Sequence, residues 1–129
     1  MAKTVLELTP EEKLAYRLGA AIEQRKWAGD SRTEERWQQA QLLARQSAKL
    51  LREEFGASRV RLFGSATRRP WFTPWSDVDL AVWGLAPERF FAAVAAVTKI
   101  SAEIAVDLVD AEQCSQAVRT AIERDGAEL

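Results

Sequence analysis

The sequence predicts an α+β chain of two layers: a small mixed β-sheet covered by helices and preceded by two N-terminal helices. Two observations carry this expectation. Segments with apolar residues every three or four positions are interspersed with short apolar runs, in the order helix, helix, strand, strand, helix, strand, helix. A length of 129 residues suits a single domain, 1–129, with helices over 1–56 and the sheet-bearing core over 57–129.

Each element has its own signal. Thr9-Pro10-Glu11-Glu12 is a capping box with Pro in the first turn, and Leu14, Leu18 and Ile22 form the stripe of a helix that Gly29 should end. Ser31-Arg32-Thr33-Glu34 is a second capping box. It opens a longer helix to Phe55 that buries Trp37, Ala40, Leu43, Ala44, Leu50 and Leu51 and stops at Gly56. Ser58 to Phe63 alternates Val60 and Leu62 with Arg59 and Arg61 and reads as the first strand. After a loop containing Pro70 and Pro74, Val78 to Trp83 is the second strand, apolar on both faces and so central. Pro87-Glu88-Arg89 opens a helix to about Lys99, packed through Phe90, Phe91, Val94 and Val97. Ile104 to Val109 is the third strand. Asp110-Ala111-Glu112-Gln113 caps a last helix to about Arg124.

Composition narrows the chemistry. With 47% hydrophobic and 29% charged residues the chain reads as an ordinary globular protein. No apolar run reaches the ~20 residues of a membrane span, and the N-terminus lacks a signal-peptide core, so a cytoplasmic protein that avoids membranes is expected. A single Cys114 rules out an internal disulfide and reads as an inert small side chain. The absence of histidine argues against zinc and removes Ser-His and Cys-His nucleophile pairs, leaving carboxylates and a metal as the means of catalysis. A net charge of −1 gives no general attraction to nucleic acid, and no stable nucleic-acid binding is expected.

Those carboxylates have a distinct pattern. Leu62-Phe63-Gly64-Ser65 ends one apolar run, and Ser76-Asp77-Val78-Asp79-Leu80 begins the next. Side chains alternate along a strand, so Asp77 and Asp79 share one face, roughly 7 Å apart, opposite Val78 and Leu80. Two like charges so placed repel, and Mg²⁺ is the natural counter-ion for hard oxygen ligands. Gly64 allows close backbone approach to a ligand, and Ser65 offers a hydroxyl and an N–H for phosphate. Asp107 lies between Ala105 and Val109, opposite Ile104, Val106 and Leu108, where a carboxylate is costly unless something positive meets it. Arg68 and Arg69 read equally as phosphate clamps or as loop charges. Trp71, Phe72 and Trp75 read as a lid on the sheet, or else as a stacking surface for a base or acceptor, and Trp27 and Trp37 as packing residues.

Gly64-Ser65 followed by Asp77-x-Asp79, each on an apolar strand, resembles the signature of the DNA polymerase β-like nucleotidyltransferases, and in particular the minimal nucleotidyltransferases (MNT) of prokaryotes. The resemblance runs from about Val60 to the end of the chain. It implies a nucleotidyltransferase fold with 57–129 as catalytic core, and Asp107 as third member of a carboxylate triad with Asp77 and Asp79. Two Mg²⁺ ions would be held by the three aspartates, and a nucleoside triphosphate, ATP first, would lie with its phosphates on Gly64 and Ser65. Many relatives have Gly-Ser-Arg-Ala-Arg-Gly where this chain has Gly-Ser-Ala-Thr-Arg-Arg, so the phosphate grip differs at Ala66 and Arg69.

The resemblance further implies transfer of AMP to a hydroxyl, with a partner protein, a HEPN-type toxin, as acceptor, which makes the chain an antitoxin. Two alternatives remain open at this point. One is an antitoxin that acts by binding alone. The other is an aminoglycoside-like small-molecule nucleotidyltransferase, for which a homodimer would complete the pocket.

Overall fold

A computed structural model describes residues 27–129. The first expected helix, with Thr9, Pro10, Leu14, Leu18 and Ile22, lies outside the described residues. The long helix is present as α1, Ser31–Phe55. Its N-cap is Asp30 rather than Ser31: the Asp30 carboxylate accepts from the Thr33 N–H at 3.0 Å and its hydroxyl at 2.7 Å. Glu34, the expected reciprocal partner of Ser31, is drawn instead to Gln38 and Arg69. Gly56, at φ +73°, ends the helix in the left-handed conformation that a side chain disfavours.

Among the described residues four strands form one mixed sheet in the order β3-β2-β1-β4. They are β1 (Arg59–Phe63), β2 (Val78–Trp83), β3 (Val106–Asp110) and β4 (Ala127–Glu128). β2 runs antiparallel to β1 and parallel to β3. Central placement of β2 follows from its two apolar faces, as expected. β4 is not legible in the sequence, since two residues carry no alternation. It pairs with β1 at Arg61↔Glu128 and Leu62↔Ala127, where Glu128 accepts from Arg59 and Arg61.

Strand alternation divides the core between the two faces. Val60, Leu62, Val78, Leu80, Val82 and Val106 meet α1 and the helix α2 (Phe90–Thr98) on one face. Ala81 and Phe63 meet Ile122 of α3 (Gln116–Asp125) on the other. The last helix therefore adds cover to the face opposite α1. Three boundaries differ from expectation. A 3-10 turn, Pro87–Arg89, precedes α2, which buries Ala93 and Val97 and leaves Phe91 82% exposed rather than packed. β3 begins two residues late, because the N–H groups of Glu103 and Ile104 turn to the Ser101 hydroxyl. Asp110 accepts from the Glu112 N–H at 3.0 Å and makes a turn, so Ser115, accepting from the Val118 N–H, caps α3. Among the described residues no helix is long and apolar enough to cross a membrane.

Candidate functional site

β1 ends at Phe63, which is paired with Asp79 on β2, and Asp79 is in turn paired with Asp107 on β3. Adjacent residues in register on neighbouring strands point to the same side, here the α3 side, so the two carboxyl groups stand next to each other. The parallel β2–β3 pairing thus joins residues 28 positions apart in sequence. Just beyond Phe63 the chain turns at Gly64, φ +76°, into a short 3-10 turn, Gly64–Thr67, locked by the Thr67 hydroxyl donating to the Gly64 carbonyl at 2.7 Å. Gly64 passes directly against the Asp79 carboxylate: a Cβ there would collide with Asp79 Oδ2 and lie 3.2 Å from its Cγ. Only glycine satisfies both the backbone angle and the contact.

Burial first, and then the charges of Asp107 and Asp77 and a hydrogen bond shared with Asp107, push the Asp79 carboxyl from its ordinary 3.8 up to about 7. Without a cation the group is therefore divided between its protonated and ionised forms near neutral pH. Asp77 precedes β2 by one residue. Its Oδ1 is 3.4 Å from the Ala105 N–H and 3.5 Å from Arg36 Nη2, while Oδ2 takes no hydrogen bond among the described residues.

The remaining expected residues separate. Ser65 is half-buried with a hydroxyl that takes no hydrogen bond among the described residues. Arg68 is exposed and stacks over the Trp71 ring at 4.5 Å, with no carboxylate partner among the described residues. Arg69 points back to α1, where its Nε donates to Glu34 Oε2 at 2.7 Å. The loop aromatics divide as well. Phe72 is fully buried and edge-on to Trp37 at 5.3 Å, whereas Trp75 is 68% exposed and edge-on to Trp27 at 5.5 Å. Lid and exposed platform therefore coexist in one loop.

Arg36 is the residue that sequence reasoning missed. Its Nε and Nη2 donate to the Ser76 carbonyl at 3.2 and 3.0 Å, and its Nη1 lies 3.4 Å from the Glu103 carbonyl. A signal did exist: Arg36 lies four residues before Ala40 and seven before Leu43, on the stripe that α1 buries.

Among the described residues no three carboxylates form a ready-made metal cage. Asp79, partly buried, and Asp107, exposed, nonetheless offer what a hard divalent cation requires: adjacent carboxylate oxygens that repel each other in its absence. A shallow groove of about 320 Å³, between α1 and Leu129, is lined by Arg45, Ala48, Lys49, Arg52 and Glu53 and by none of these residues.

No protein-family model and no curated protein matches the sequence. Solved structures do match. A tri-AMPylated HEPN toxin of Shewanella oneidensis in complex with MNT antitoxin aligns at 24% identity and TM-score 0.53, over 69% of this chain and 70% of the matched chain. The toxin–antitoxin MntA-HpeT, in a tyrosine-to-alanine mutant form, aligns at 26% and 0.55, over 66% and 69%. A toxin–antitoxin with AMP-PNP aligns at 24% and 0.56, over 66% and 70%. In fold the chain is similar to these MNT antitoxin–HEPN toxin structures, consistent with a minimal nucleotidyltransferase of a toxin–antitoxin pair.

Proposed function

We propose that the chain is a Mg²⁺-dependent nucleotidyltransferase that moves AMP from ATP to a hydroxyl on a HEPN-type partner protein, and so acts as its antitoxin. The observation that carries this reading is the Asp79–Asp107 pair, set side by side, with Gly64 packed so closely on Asp79 that any side chain there would displace its carboxylate. A pure binding surface has no need to set an exposed Asp107 beside a partly buried Asp79, where the two charges repel. Similarity to a complex containing a tri-AMPylated toxin and to one containing AMP-PNP supports the choice of nucleotide and acceptor.

In this reading Asp79 and Asp107, joined by the second oxygen of Asp77, would hold divalent cations, which when bound neutralise phosphate charge and lower the pKa of the acceptor hydroxyl. Gly64 brings backbone N–H groups close to the phosphates, and the Ser65 hydroxyl and Arg68 add donors. Attack of the hydroxyl on the α-phosphorus forms the new P–O bond as pyrophosphate leaves. The core over 57–129 would carry this chemistry.

Titration of the pure protein with ATP, GTP, CTP and UTP, with and without Mg²⁺, tests the reading. Mg²⁺-dependent ATP binding, abolished by Asp77→Asn/Asp79→Asn, is expected, followed by AMP on the partner detected by mass spectrometry. Absence of nucleotide binding by a folded sample would overturn it. One observation favours binding alone as the second reading: Arg69 and one oxygen of Asp77 are already engaged within the protein. That reading is supported if the partner is neutralised equally well by the double variant.

A further inference from the structure

The cation of α1 that reaches the site has no part in the chemistry above. Arg36 is half-buried and, among the described residues, is the one basic side chain within 4 Å of Asp77, Asp79 or Asp107. Its placement opposes what electrostatics alone would select, because a fixed positive charge beside carboxylates weakens cation binding. Its contacts explain what it offers in return. Both arms of the guanidinium grip the carbonyl of Ser76, the peptide that leads directly into Asp77. A third nitrogen reaches Glu103 on the approach to β3, and Nη2 faces Asp77 Oδ1. The same corner is closed by the Val78 N–H donating to Ala105 at 3.0 Å and the Ala105 N–H facing Asp77. One side chain therefore ties together the starts of the two strands that carry the carboxylates.

We propose that Arg36 is a positioning residue of the site. By holding the Ser76–Asp77 peptide and the approach to β3 together, it fixes Asp77 relative to Asp79 and Asp107 and leaves Oδ2 as the oxygen offered to a cation. The inference deepens the nucleotidyltransferase reading, and it rests on Asp77 being a ligand. Lysine keeps the charge but lacks the planar fork that bridges two carbonyls, and glutamine loses both.

The test compares wild type with Arg36→Lys and Arg36→Gln by amide hydrogen exchange and by Mn²⁺ titration, followed through paramagnetic broadening of the signals of residues 79 and 107. Expected are Val78 and Ala105 amides exchanging about tenfold faster in Arg36→Gln, with Leu62 and Leu80 unchanged, and Mn²⁺ affinity about tenfold weaker in both variants, the usual loss when a partner behind a metal ligand is removed. A charge effect alone would tighten Mn²⁺ in Arg36→Gln and leave Arg36→Lys unaltered, and that pattern would overturn the proposal. Unchanged exchange at Val78 and Ala105 would overturn it too. Should wild type bind no Mn²⁺ while those two amides loosen in Arg36→Gln, the metal reading falls and the positioning of Asp77 by Arg36 stands.

Discussion

Gly64 lies against Asp79 so closely that the carboxylate fills the space a side chain would need. Gly64→Ala must therefore displace Asp79 as well as strain a backbone held at φ +76°. Destabilisation of about 1–3 kcal/mol is expected from the backbone alone, together with loss of nucleotide binding. Thermal unfolding and ATP titration would check this; an alanine variant that binds ATP normally would refute the cradle.

Asp79 sets the pH response. Its carboxyl is raised in the folded chain, so the folded state binds more protons than the unfolded state between the ordinary 3.8 and about 7. The stabilisation is fully present below 3.8 and is lost as pH rises towards 7 and above. Thermal melts across pH 4–8 without divalent cations should show the Tm falling, and Asp79→Asn should flatten that fall while abolishing Mg²⁺-dependent binding.

Added Mg²⁺ should act in the opposite sense. A cation that binds only the folded chain stabilises it by about 2.7 kcal/mol at a hundred times its Kd. Because it competes with the proton on Asp79, this gain should grow from pH 5.5 to 8. Melts with Mg²⁺ and with EDTA at each pH are the measurement.

Arg68 and Arg69 are adjacent but differently committed. Arg69 is held by Glu34, whose carboxyl lies below its usual range chiefly because of that hydrogen bond, while Arg68 stacks on Trp71. Arg68→Ala should weaken ATP binding by about tenfold, the scale of a lost charge-assisted hydrogen bond, and Arg69→Ala should leave it nearly unchanged. Titration of both variants decides it.

Phe72 is fully buried against Trp37, although it shares its loop with a half-buried Trp71 and an exposed Trp75. Phe72→Ala should cost about 3–5 kcal/mol in denaturant unfolding, whereas Trp75→Ala, at an exposed ring, should cost far less.

Local chemistry was sufficient for much of this protein. The long helix, the apolar β2 and the Gly-Ser and Asp-x-Asp signature are properties of neighbouring residues, so periodicity and alternation reveal them. Element boundaries depended on competing hydrogen bonds that the sequence leaves undecided, as when Asp30 rather than Ser31 capped α1, or Asp110 folded into a turn ahead of Ser115. Tertiary structure alone decided the rest. Register between β2 and β3 brought Asp107 beside Asp79, burial of Asp79 and repulsion from its neighbour raised the Asp79 carboxyl to about 7, and a cation 41 residues away reached Asp77 from the buried stripe of α1. The physical reason is range. Propensity and alternation act within a few residues, whereas packing two strands and a helix against one another places charges together whatever their distance along the chain.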